Sequence, residues 1–410
     1  MNDLNNITYG LLGEHLCHSY SPQIHALIGD YDYRLIELAR EEALGFLKAH
    51  PFKAINVTIP YKIDAFNACD LLSNEAKAIG SVNTLVVRDG KLCGYNTDAY
   101  GFEYMLKRGG IDPRGKSAIV LGSGGASVTA VYVLKKLGAS GVTVISRRGE
   151  NNYENISRHH GAGIIVNTTP VGMFPGNGVS PIKLSGFKNC TGAVDLIYNP
   201  AKTRLILDAI SLGIPAVSGL SMLVAQAKKA AEYFFDRRFE DSIIGEIEKK
   251  ISSGMKNIAL IGMPGCGKST VGRKLKALTG RELVDTDEEI EKRTGRRIPE
   301  IIENDGESAF RQIERDVLTE ISKQSGIIIA CGGGIVTTAG NADLLRQNST
   351  VFYIDRPISE LETKGRPLSQ SSGVETLYKA RRPLYLKAAD RVIPFESSDK
   401  CAEDILASIG

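Results

Sequence analysis

Short apolar runs that end in glycine alternate along the chain with longer stretches in which apolar residues recur every three or four positions. The runs AIVLGSGG at 118–125 and NIALIGMPGCGKST at 257–270 are the clearest examples. Buried strands followed by glycine-rich turns and helices are typical of parallel sheets covered by helices. Two such openings, each beginning its own series of strands and helices, predict an α/β protein with two nucleotide-binding modules.

The same pattern predicts the domain limits. YGLLGE and INVTIP, before the first glycine-rich strand, predict strands of a separate small α/β lobe. Isoleucines three or four positions apart up to Ile251 predict a helix, and the small polar residues 252–254 predict a break after it. The first lobe is expected at 1–103, completed by helices from within 221–251. A dinucleotide-binding domain is expected at 104–220, and a third domain at 255–410.

Composition and charge exclude several classes of protein. The 410 residues carry a net charge of +3, which is too small to indicate a nucleic-acid surface. The chain has no apolar run of about 18 residues that would span a membrane, and MNDLNNITYG lacks the apolar core of a signal peptide. The seven cysteines form no C-x-x-C pair, which argues against structural zinc and a disulfide framework. We expect reduced thiols in a cytoplasmic protein.

Residues 262–269 fit the pattern G-x-x-x-x-G-K-[ST], which holds nucleotide phosphates. The pattern follows an apolar run and precedes a helical one, as a phosphate-binding loop requires. Lys268 is predicted to reach the β- and γ-phosphates of ATP, and Ser269 to bind Mg²⁺. The other predicted phosphate contacts are Gly262, Gly265, Cys266, Gly267 and Thr270.

Further candidate residues follow the phosphate loop. Asp285 and Asp287 lie two residues apart at a predicted strand end, so one can hold Mg²⁺ while the other accepts a hydroxyl proton. A helix N-cap pair is the alternative. Arg311 and Glu314 share a helix face, which suits a binding site or a surface ion pair. The triple glycine at 332–334 lets a ligand approach the backbone closely.

The stretches GMPGCGKST, VDTD, FRQIE, CGGG, GRPL and RRPLY resemble, in this order, the shikimate kinases over 256–410. The resemblance implies ATP and Mg²⁺ as cofactors, with Asp285 helping to hold the metal and Asp287 acting as base. It also implies that Arg366, in a mobile lid, meets the transferring phosphoryl group. It implies that Arg311, Arg381 and the Gly333 amide bind the substrate, and that Glu314 orients Arg311. The segment between Arg366 and Arg381 is short for the lid of that family.

Polar residues also follow the apolar runs of the N-terminal part. Ser19 and Ser21 can both donate to one carboxylate, although Ser-Pro more often marks a turn. Lys62 follows INVTIP, and Asp98 follows another apolar run. A lysine near an aspartate in a cleft can transfer protons, whereas Lys62 taken alone is more typical of a solvated surface.

The glycine-rich turn at 122–127 follows the run SAIVL and approximates a dinucleotide-binding fingerprint. Further along, VTVIS ends in Arg147 and Arg148, where an enzyme that uses NAD would usually carry an acidic residue. Arginine suits the 2′-phosphate of NADP, so these residues predict NADP(H).

The stretches HSYSP, NVTIPYK, GSVNT, NTD, GSGGAS, NTTPVGM, DLIYNP and GLSMLVAQ resemble, in this order, the shikimate dehydrogenases from residue 7 to about 250. The resemblance implies that Lys62 and Asp98 form the catalytic pair. The implied substrate contacts are Ser19, Ser21 and Tyr198 for the carboxylate and Thr58, Asn83, Asp98 and Gln226 for ring hydroxyls. The implied NADP(H) contacts are Gly122, Gly124, Gly125, Ala126, Arg147, Thr168, Gly219 and Met222.

Two departures from that family change the expectations. Ser146 and Arg148 stand where the family usually has asparagine and threonine, so the 2′-phosphate contact is expected chiefly from Arg147. Fewer than 20 residues separate Arg148 from Asn167. One β-α unit of the cofactor domain is therefore expected to be abbreviated or missing.

Together these features predict a small α/β substrate lobe, a Rossmann-like NADP domain and a P-loop kinase domain with a parallel sheet. The predicted activities are reduction of 3-dehydroshikimate with NADPH and phosphorylation of shikimate at its 3-hydroxyl with ATP. The expected partners are these small molecules, with neither nucleic acid nor membrane. One alternative is a regulatory protein built from retired enzyme domains, which the intact catalytic positions argue against. The other is a quinate enzyme that uses NAD, which the two arginines argue against.

Overall fold

The computed structural model describes residues 8–16, 19–361 and 373–409. By its internal contacts the chain divides into two units, with the main boundary between Ile251 and Ser252. Two short stretches, Phe174–Gly178 and Asn199–Lys202, group with the second unit. None of the helices in the described residues combines the length and the apolar character that crossing a membrane requires.

The first unit begins with a mixed sheet of six strands in the order β2-β1-β3-β5-β6-β4. β1, β2 and β3 are mutually parallel, and β5 runs antiparallel to β3 and β6. The strands are β1 Tyr9–Gly13, β2 Tyr33–Glu37, β3 Ala54–Val57, β4 Leu71–Leu72, β5 Thr84–Arg88 and β6 Lys91–Tyr95. The connecting helices are α1 Ser21–Ile28, α2 Arg40–Ala49, α3 Lys62–Ala68 and α4 Asn74–Ile79. Leu12, Ile55 and Leu85 are fully buried in the core of this lobe.

The second sheet of this unit has five parallel strands in the order β11-β10-β9-β7-β8. The strands are β7 Ser117–Leu121, β8 Gly141–Ile145, β9 Ile164–Asn167, β10 Gly192–Asp195 and β11 Ala216–Ser218. The helices are α5 Asp98–Arg108, α6 Gly125–Lys136, α7 Arg204–Ser211, α8 Leu220–Phe235 and α9 Ser242–Met255.

The short spacing after Arg148 has the expected consequence for this sheet. The chain passes from β8 to β9 through turns and one 3₁₀ turn, Ile156–His159, and this stretch, described throughout, holds no further strand or α-helix. β8 is therefore an edge strand of the sheet.

Helix α8 returns to the first sheet and completes its core. Its Ala230 and Phe234 are buried in one cluster with Leu11 and Val86. α8 also lies very close to α5, because a Cβ on Gly101 of α5 would be only 2.7 Å from the carbonyl oxygen of Met222. The start of α5 and the middle of α8 are thereby held beside each other.

The second unit is built on five parallel strands in the order β13-β14-β12-β15-β16. The strands are β12 Asn257–Ile261, β13 Leu283–Asp285, β14 Ile328–Ala330, β15 Ser349–Asp355 and β16 Arg391–Pro394. The helices are α10 Lys268–Thr279, α11 Thr286–Thr294, α12 Ile298–Asp305, α13 Glu307–Ile321, α14 Asn341–Asn348, α15 Val374–Ala388 and α16 Ser398–Ile409. The central strands carry buried apolar runs, IALI in β12, IIA in β14 and VFYI in β15, as a sheet covered on both faces requires.

The expected break at 252–254 is wrong, because these residues form the last turn of α9. Arg281 explains why a turn of small polar residues stays helical. Its guanidinium donates to the carbonyls of Ser253 (2.6 Å) and Lys256 (2.7 Å) at the end of the helix.

Both units confirm the predicted α/β class. In parallel sheets, ligands bind in the crevice at the carboxyl ends of the strands. Gly122 follows β7, Gly262 follows β12, and Thr286 follows β13 at such ends. In each unit, the strand order therefore brings candidate residues to the edge of the sheet where ligands bind.

Candidate active sites

In the first unit, the predicted catalytic pair is in direct contact. Lys62 begins α3 and Asp98 begins α5, and the Lys62 Nζ lies 2.6 Å from the Asp98 Oδ2. Their side chains are only 26% and 15% exposed, so Lys62 is not a solvated surface lysine. The Asp98 carboxylate lies in the first turn of α5, at the positive end of the helix dipole. The arrangement can pass a proton between a bound ligand and the ammonium group.

Thr97 joins the two residues predicted to bind ring hydroxyls beside this pair. The Asn83 Oδ1 accepts from the Thr97 amide at 2.7 Å, and the Asn83 Nδ2 donates to the Thr97 Oγ1 at 3.0 Å. The same hydroxyl lies 3.4 Å from the Gln226 Oε1 of α8. Asn83 is only 3% exposed, and its two bonds to Thr97 fix the backbone just before Asp98.

A second layer of polar groups lies beneath Asn83. The buried Asn56 donates from its Nδ2 to the Thr84 Oγ1 at 3.1 Å, and it accepts from the Tyr33 hydroxyl at 2.8 Å. Thr84 in turn donates to the Asn83 Oδ1 at 3.2 Å. This network holds the floor of the site rigid, because each buried polar group has a partner.

The predicted carboxylate site gathers residues from two loops. The Ser19 Oγ accepts from the Ser21 amide at 3.2 Å, so the serines form the turn that begins α1, as the Ser-Pro alternative expected. The Tyr198 ring packs edge-on against Tyr20 with 6.0 Å between the centroids. Burial raises the pKa of the Tyr198 hydroxyl, which therefore stays a neutral donor. Thr58, half-buried, follows β3 at the same sheet edge.

The predicted NADP(H) site begins at the turn after β7. Gly122 has a φ of 103°, and a Cβ there would lie 2.8 Å from the Thr168 Oγ1. Thr168 donates to the Leu121 carbonyl at 2.7 Å, which ties the loop after β9 to this turn. A Cβ on Gly124 or Gly125 would contact nothing, so the backbone at the start of α6 is open to a phosphate. Ala126 is half-buried in the same helical turn.

Two further contacts predicted for this cofactor come from the loop before α8 and the turn after β8. A Cβ on Gly219 would overlap the Leu196 carbonyl, so only glycine fits where α8 begins. Met222 lies one turn into α8, against Gly101. Arg147 is exposed in the turn after β8, where the Ser146 hydroxyl donates to the Arg148 carbonyl.

In the second unit, three glycines of the phosphate loop adopt positive φ values that disfavour other residues. These values are 149° for Gly262, 82° for Gly265 and 100° for Gly267. Lys268 begins α10, and its buried ammonium donates to the carbonyls of Gly262 at 3.0 Å and Met263 at 2.9 Å. Cys266 is fully buried inside the loop, with Thr270 one turn into the helix.

The predicted Mg²⁺ ligands are in contact with each other. The Ser269 hydroxyl donates to the Asp285 Oδ2 at 2.6 Å. The Asp285 Oδ1 accepts from the Asp287 amide at 3.0 Å, so Asp285 is the N-cap of α11, as the alternative interpretation expected. One hydroxyl and one carboxylate fit Mg²⁺, which usually completes its octahedron with water and phosphate oxygens.

An ion pair predicted to orient the substrate arginine is buried. The Arg311 Nη1 lies 2.9 Å from the Glu314 Oε2, and its Nη2 lies 3.0 Å from the Glu307 Oε1. Glu314 is 1% exposed, so the alternative of a surface ion pair is wrong. Burial raises the pKa of Glu314, and the Arg311 guanidinium opposes that rise.

A cavity of about 780 Å³ brings the predicted kinase residues together. Arg381 reaches it from α15 and donates from its Nη1 to the Gly333 carbonyl at 3.3 Å. The Gly333 carbonyl thus binds Arg381. The Gly333 amide is the group that was expected to contact the substrate. The predicted residues that line the cavity are Gly265, Gly267, Lys268, Ser269, Thr270, Asp285, Asp287, Arg311, Glu314, Gly333 and Arg381. Arg366 lies outside the described residues.

The sequence analysis missed several residues at this cavity. Arg356 follows β15 and Phe395 follows β16, and the Arg356 guanidinium lies 4.2 Å from the centre of the Phe395 ring. Thr286 lies between the two predicted aspartates, is fully buried and was also missed. Arg356 and Phe395 each follow a strand directly, so the ends of strands are the signal that could have found those two.

Comparison with known proteins gives matches for both units. The model of the shikimate dehydrogenase substrate-binding domain matches residues 11–85, and the model of shikimate kinase matches residues 264–409. A shikimate dehydrogenase (NADP(+)) of Clostridium perfringens is 36% identical over 265 residues, which are 58% of this chain and 98% of that protein.

Solved structures agree with these matches. Shikimate dehydrogenase 1 of Peptoclostridium difficile is 37% identical with a TM-score of 0.55, covering 60% of this chain and 97% of that one. A chorismate mutase/shikimate 5-dehydrogenase fusion protein of Clostridium acetobutylicum is 35% identical with a TM-score of 0.57, over 60% and 97%. The shikimate 5-dehydrogenase of Thermus thermophilus in complex with NADP(H) and shikimate is 31% identical with a TM-score of 0.55, over 60% and 99%.

Proposed function

The chain belongs to the shikimate dehydrogenase family over its N-terminal part and carries a shikimate kinase domain in its C-terminal part, and from this premise we propose that it catalyses two consecutive reactions. The first is the reduction of 3-dehydroshikimate to shikimate with NADPH. The second is the phosphorylation of shikimate at its 3-hydroxyl with ATP and Mg²⁺. We base the proposal on the partly buried Lys62–Asp98 contact of the first unit and on the cavity of the second unit that Lys268, Asp287, Arg311 and Arg381 line.

In the reductase site, NADPH would supply the hydride, and the residues of the chain would position and protonate the substrate. Ser19, Ser21 and Tyr198 supply hydroxyl donors for its carboxylate. Lys62, held by Asp98 at 2.6 Å, would donate a proton to the ketone oxygen as it becomes a hydroxyl. Asp98 keeps the ammonium aimed at that oxygen.

In the kinase site, Asp287 would accept the proton of the attacking hydroxyl. Arg311 and Arg381 would bind the substrate carboxylate, and two guanidinium groups make such a site selective for a planar anion. Ser269 and Asp285 would hold Mg²⁺, and Lys268 would stabilise charge on the transferring phosphoryl group. Glu314 prevents Arg311 from leaving the site, because the pair is buried.

The described cysteines are free thiols, which suits a reducing compartment, and we propose that the chain acts in the cytoplasm. The use of NADPH rests on Arg147, since the quinate alternative with NAD would favour an acidic residue there. The alternative of a retired regulatory protein fits poorly with a Lys62–Asp98 pair in contact.

An assay of the purified full chain tests the proposal. With 3-dehydroshikimate, NADPH, ATP and Mg²⁺ it should oxidise NADPH and release ADP. When NADPH is omitted, no ADP should be released, and added shikimate should restore the release of ADP alone. Lys62→Ala should lower the reductase kcat by about 10²-fold or more with a smaller change in KM, since general acid catalysis is lost. Kinase activity should be unchanged.

The exposed Lys48 of α2 offers a matched control, because Lys48→Ala removes a lysine from the same lobe without touching the site. Lys268→Ala should show the reverse pattern, with loss of kinase activity and normal reduction. A wild-type chain that binds both substrates without turnover would favour the regulatory alternative.

A further inference from the structure

The triple-glycine turn at 332–334 is where three parts of the kinase site meet. A Cβ on Gly332 would overlap the Asp287 Oδ1, and one on Gly334 would overlap the Arg311 guanidinium. A Cβ on Gly333 would lie 2.5 Å from the Cγ of Pro264 in the phosphate loop. Each glycine therefore makes room for a different element, and a shift of the turn would change the distances among all three.

Two kinds of contact hold this turn in place. On one side, the Tyr385 hydroxyl and the Arg381 guanidinium donate to the Gly333 carbonyl. On the other side, the Gly332 amide donates to the Thr286 Oγ1 at 2.7 Å. This second bond joins residues 46 positions apart, and both partners are buried.

The location of Thr286 makes this bond more than local support. Thr286 is the first residue of α11, with Asp285 immediately before it and Asp287 immediately after it. Asp285 also holds the Asp287 amide. The turn is thus fastened directly to the segment that carries both carboxylates, so the bond sets the separation between Asp287 and the glycine backbone.

We propose that Thr286 is a positioning residue of the kinase reaction. Its hydroxyl fixes the Gly332 amide so that Asp287, the Gly333 backbone and Arg311 face one substrate molecule. The inference rests on the proposed kinase function and adds to it a residue that touches neither substrate nor nucleotide. Without the hydroxyl, the buried amide loses its acceptor, and the turn would move to find another one.

The valine variant removes the hydroxyl and nearly keeps the shape of the side chain. In Thr286→Val we expect the kinase kcat to fall by about 10- to 100-fold, since a small misplacement of reacting groups has effects of that order. The KM for shikimate should rise more than the KM for ATP, because the phosphate loop, although it meets the turn at Gly333, is also held by its own contacts with Lys268. Thr286→Ser keeps the oxygen and should recover most of the activity.

Thr294, in the last turn of the same helix, provides the matched control. Its half-buried hydroxyl donates to the Ile290 carbonyl at 2.8 Å, at the opposite end of α11 from Asp287. Thr294→Val therefore removes the hydroxyl contacts of another threonine of α11, including those with the Arg296 backbone, and should leave both kinetic constants unchanged. The reductase activity of each variant gives the concentration of intact chain.

The outcomes separate the inference from the function on which it rests. A wild-type chain that does not phosphorylate shikimate refutes the proposed function, and the inference with it. With an active wild type, normal kinetics in Thr286→Val would overturn the positioning role alone. Equal losses in the valine and serine variants, or a parallel loss of ATP binding measured by calorimetry, would show that Thr286 only supports the fold.

Discussion

A single buried carboxylate, Asp195, ties together two loops of the first unit. Its Oδ1 accepts from the Asn167 Nδ2 at 3.0 Å and from the Ile197 amide at 3.1 Å, and its Oδ2 accepts from the Thr203 hydroxyl at 2.7 Å. Asn167 precedes Thr168 of the proposed cofactor site, and Ile197 precedes Tyr198 of the proposed substrate site. Burial raises the pKa of Asp195 to about 6, although these three hydrogen bonds oppose the rise.

The raised pKa of Asp195 predicts a dependence of stability on pH. An unfolded aspartate has a pKa of about 3.9, so the folded unit binds this proton more tightly. The resulting stabilisation is full below about pH 4 and is lost as the pH rises through about 6. Asp195→Asn cannot titrate, so its stability relative to the wild type should increase by about 3 kcal/mol between pH 4 and pH 7. Hydrogen exchange of peptides from the first unit measures this difference, and parallel pH profiles would contradict it.

Arg147 predicts the choice of nucleotide at the same scale. Arg147→Ala should raise the KM for NADPH far more than the KM for NADH, because only NADPH carries a 2′-phosphate for the guanidinium to bind. Arg148→Ala is the comparison, since its guanidinium is also exposed in the adjacent position. Steady-state kinetics with NADPH and with NADH give the KM values of both variants. Equal effects of Arg147→Ala on both would remove Arg147 from the cofactor site.

At the scale of elements, the close approach of α5 and α8 determines where Asp98 and Gln226 lie. Gly101→Ala tests this close approach, because the substitution has two opposite effects on the free energy of unfolding. Alanine in place of a helical glycine stabilises by about 0.5–1 kcal/mol, but overpacking a tight contact costs about 1–3 kcal/mol. The new Cβ would lie 2.7 Å from the Met222 carbonyl and 3.1 Å from the Gln226 Cβ, so the clash should win.

We expect Gly101→Ala to destabilise the first unit and to lower its reductase activity without affecting the kinase. Gly45 of α2 is the matched control, because a Cβ there would contact nothing. Gly45→Ala should therefore stabilise by about 0.5–1 kcal/mol. Thermal unfolding measures the stability of both variants, and steady-state kinetics measure their reductase activity. Equal stabilisation by the two substitutions would show that α5 and α8 can separate at little cost.

Contiguous motifs allowed the sequence to predict the elements and most of the candidate residues. The phosphate loop, the Asp285–Asp287 pair and the glycine turns have local conformations that their own residues determine. Thr286 was missed because its importance depends on Gly332, 46 positions away. The helical residues 252–254 were mispredicted for a similar reason, since Arg281 satisfies a helix end that local propensity disfavours.

At the scale of the whole molecule, each unit has the parts of a complete enzyme. The first has its own buried core and its own Lys62–Asp98 ion pair, and the second has a separate core and a cavity lined only by its own residues. All six histidines precede residue 161, so the kinase residues include none. We therefore predict that the two activities can be separated by dividing the chain.

The place of the division follows from α9. A chain that begins at Gly254 would lack the Ser253 carbonyl that Arg281 binds, so beginning at Ser252 preserves both acceptors of that guanidinium. Residues 252–410 should phosphorylate shikimate with ATP and Mg²⁺, and residues 1–251 should reduce 3-dehydroshikimate with NADPH. Circular dichroism shows whether each piece is folded, and the two assays measure its activities. The full chain carrying Lys268→Ala or Lys62→Ala serves for comparison.

A piece starting at Gly254 should be less stable than one starting at Ser252, because it leaves one guanidinium donor without its acceptor. If both pieces were folded and neither were active, two independent sites would be ruled out, and each reaction would require residues from the other half of the chain.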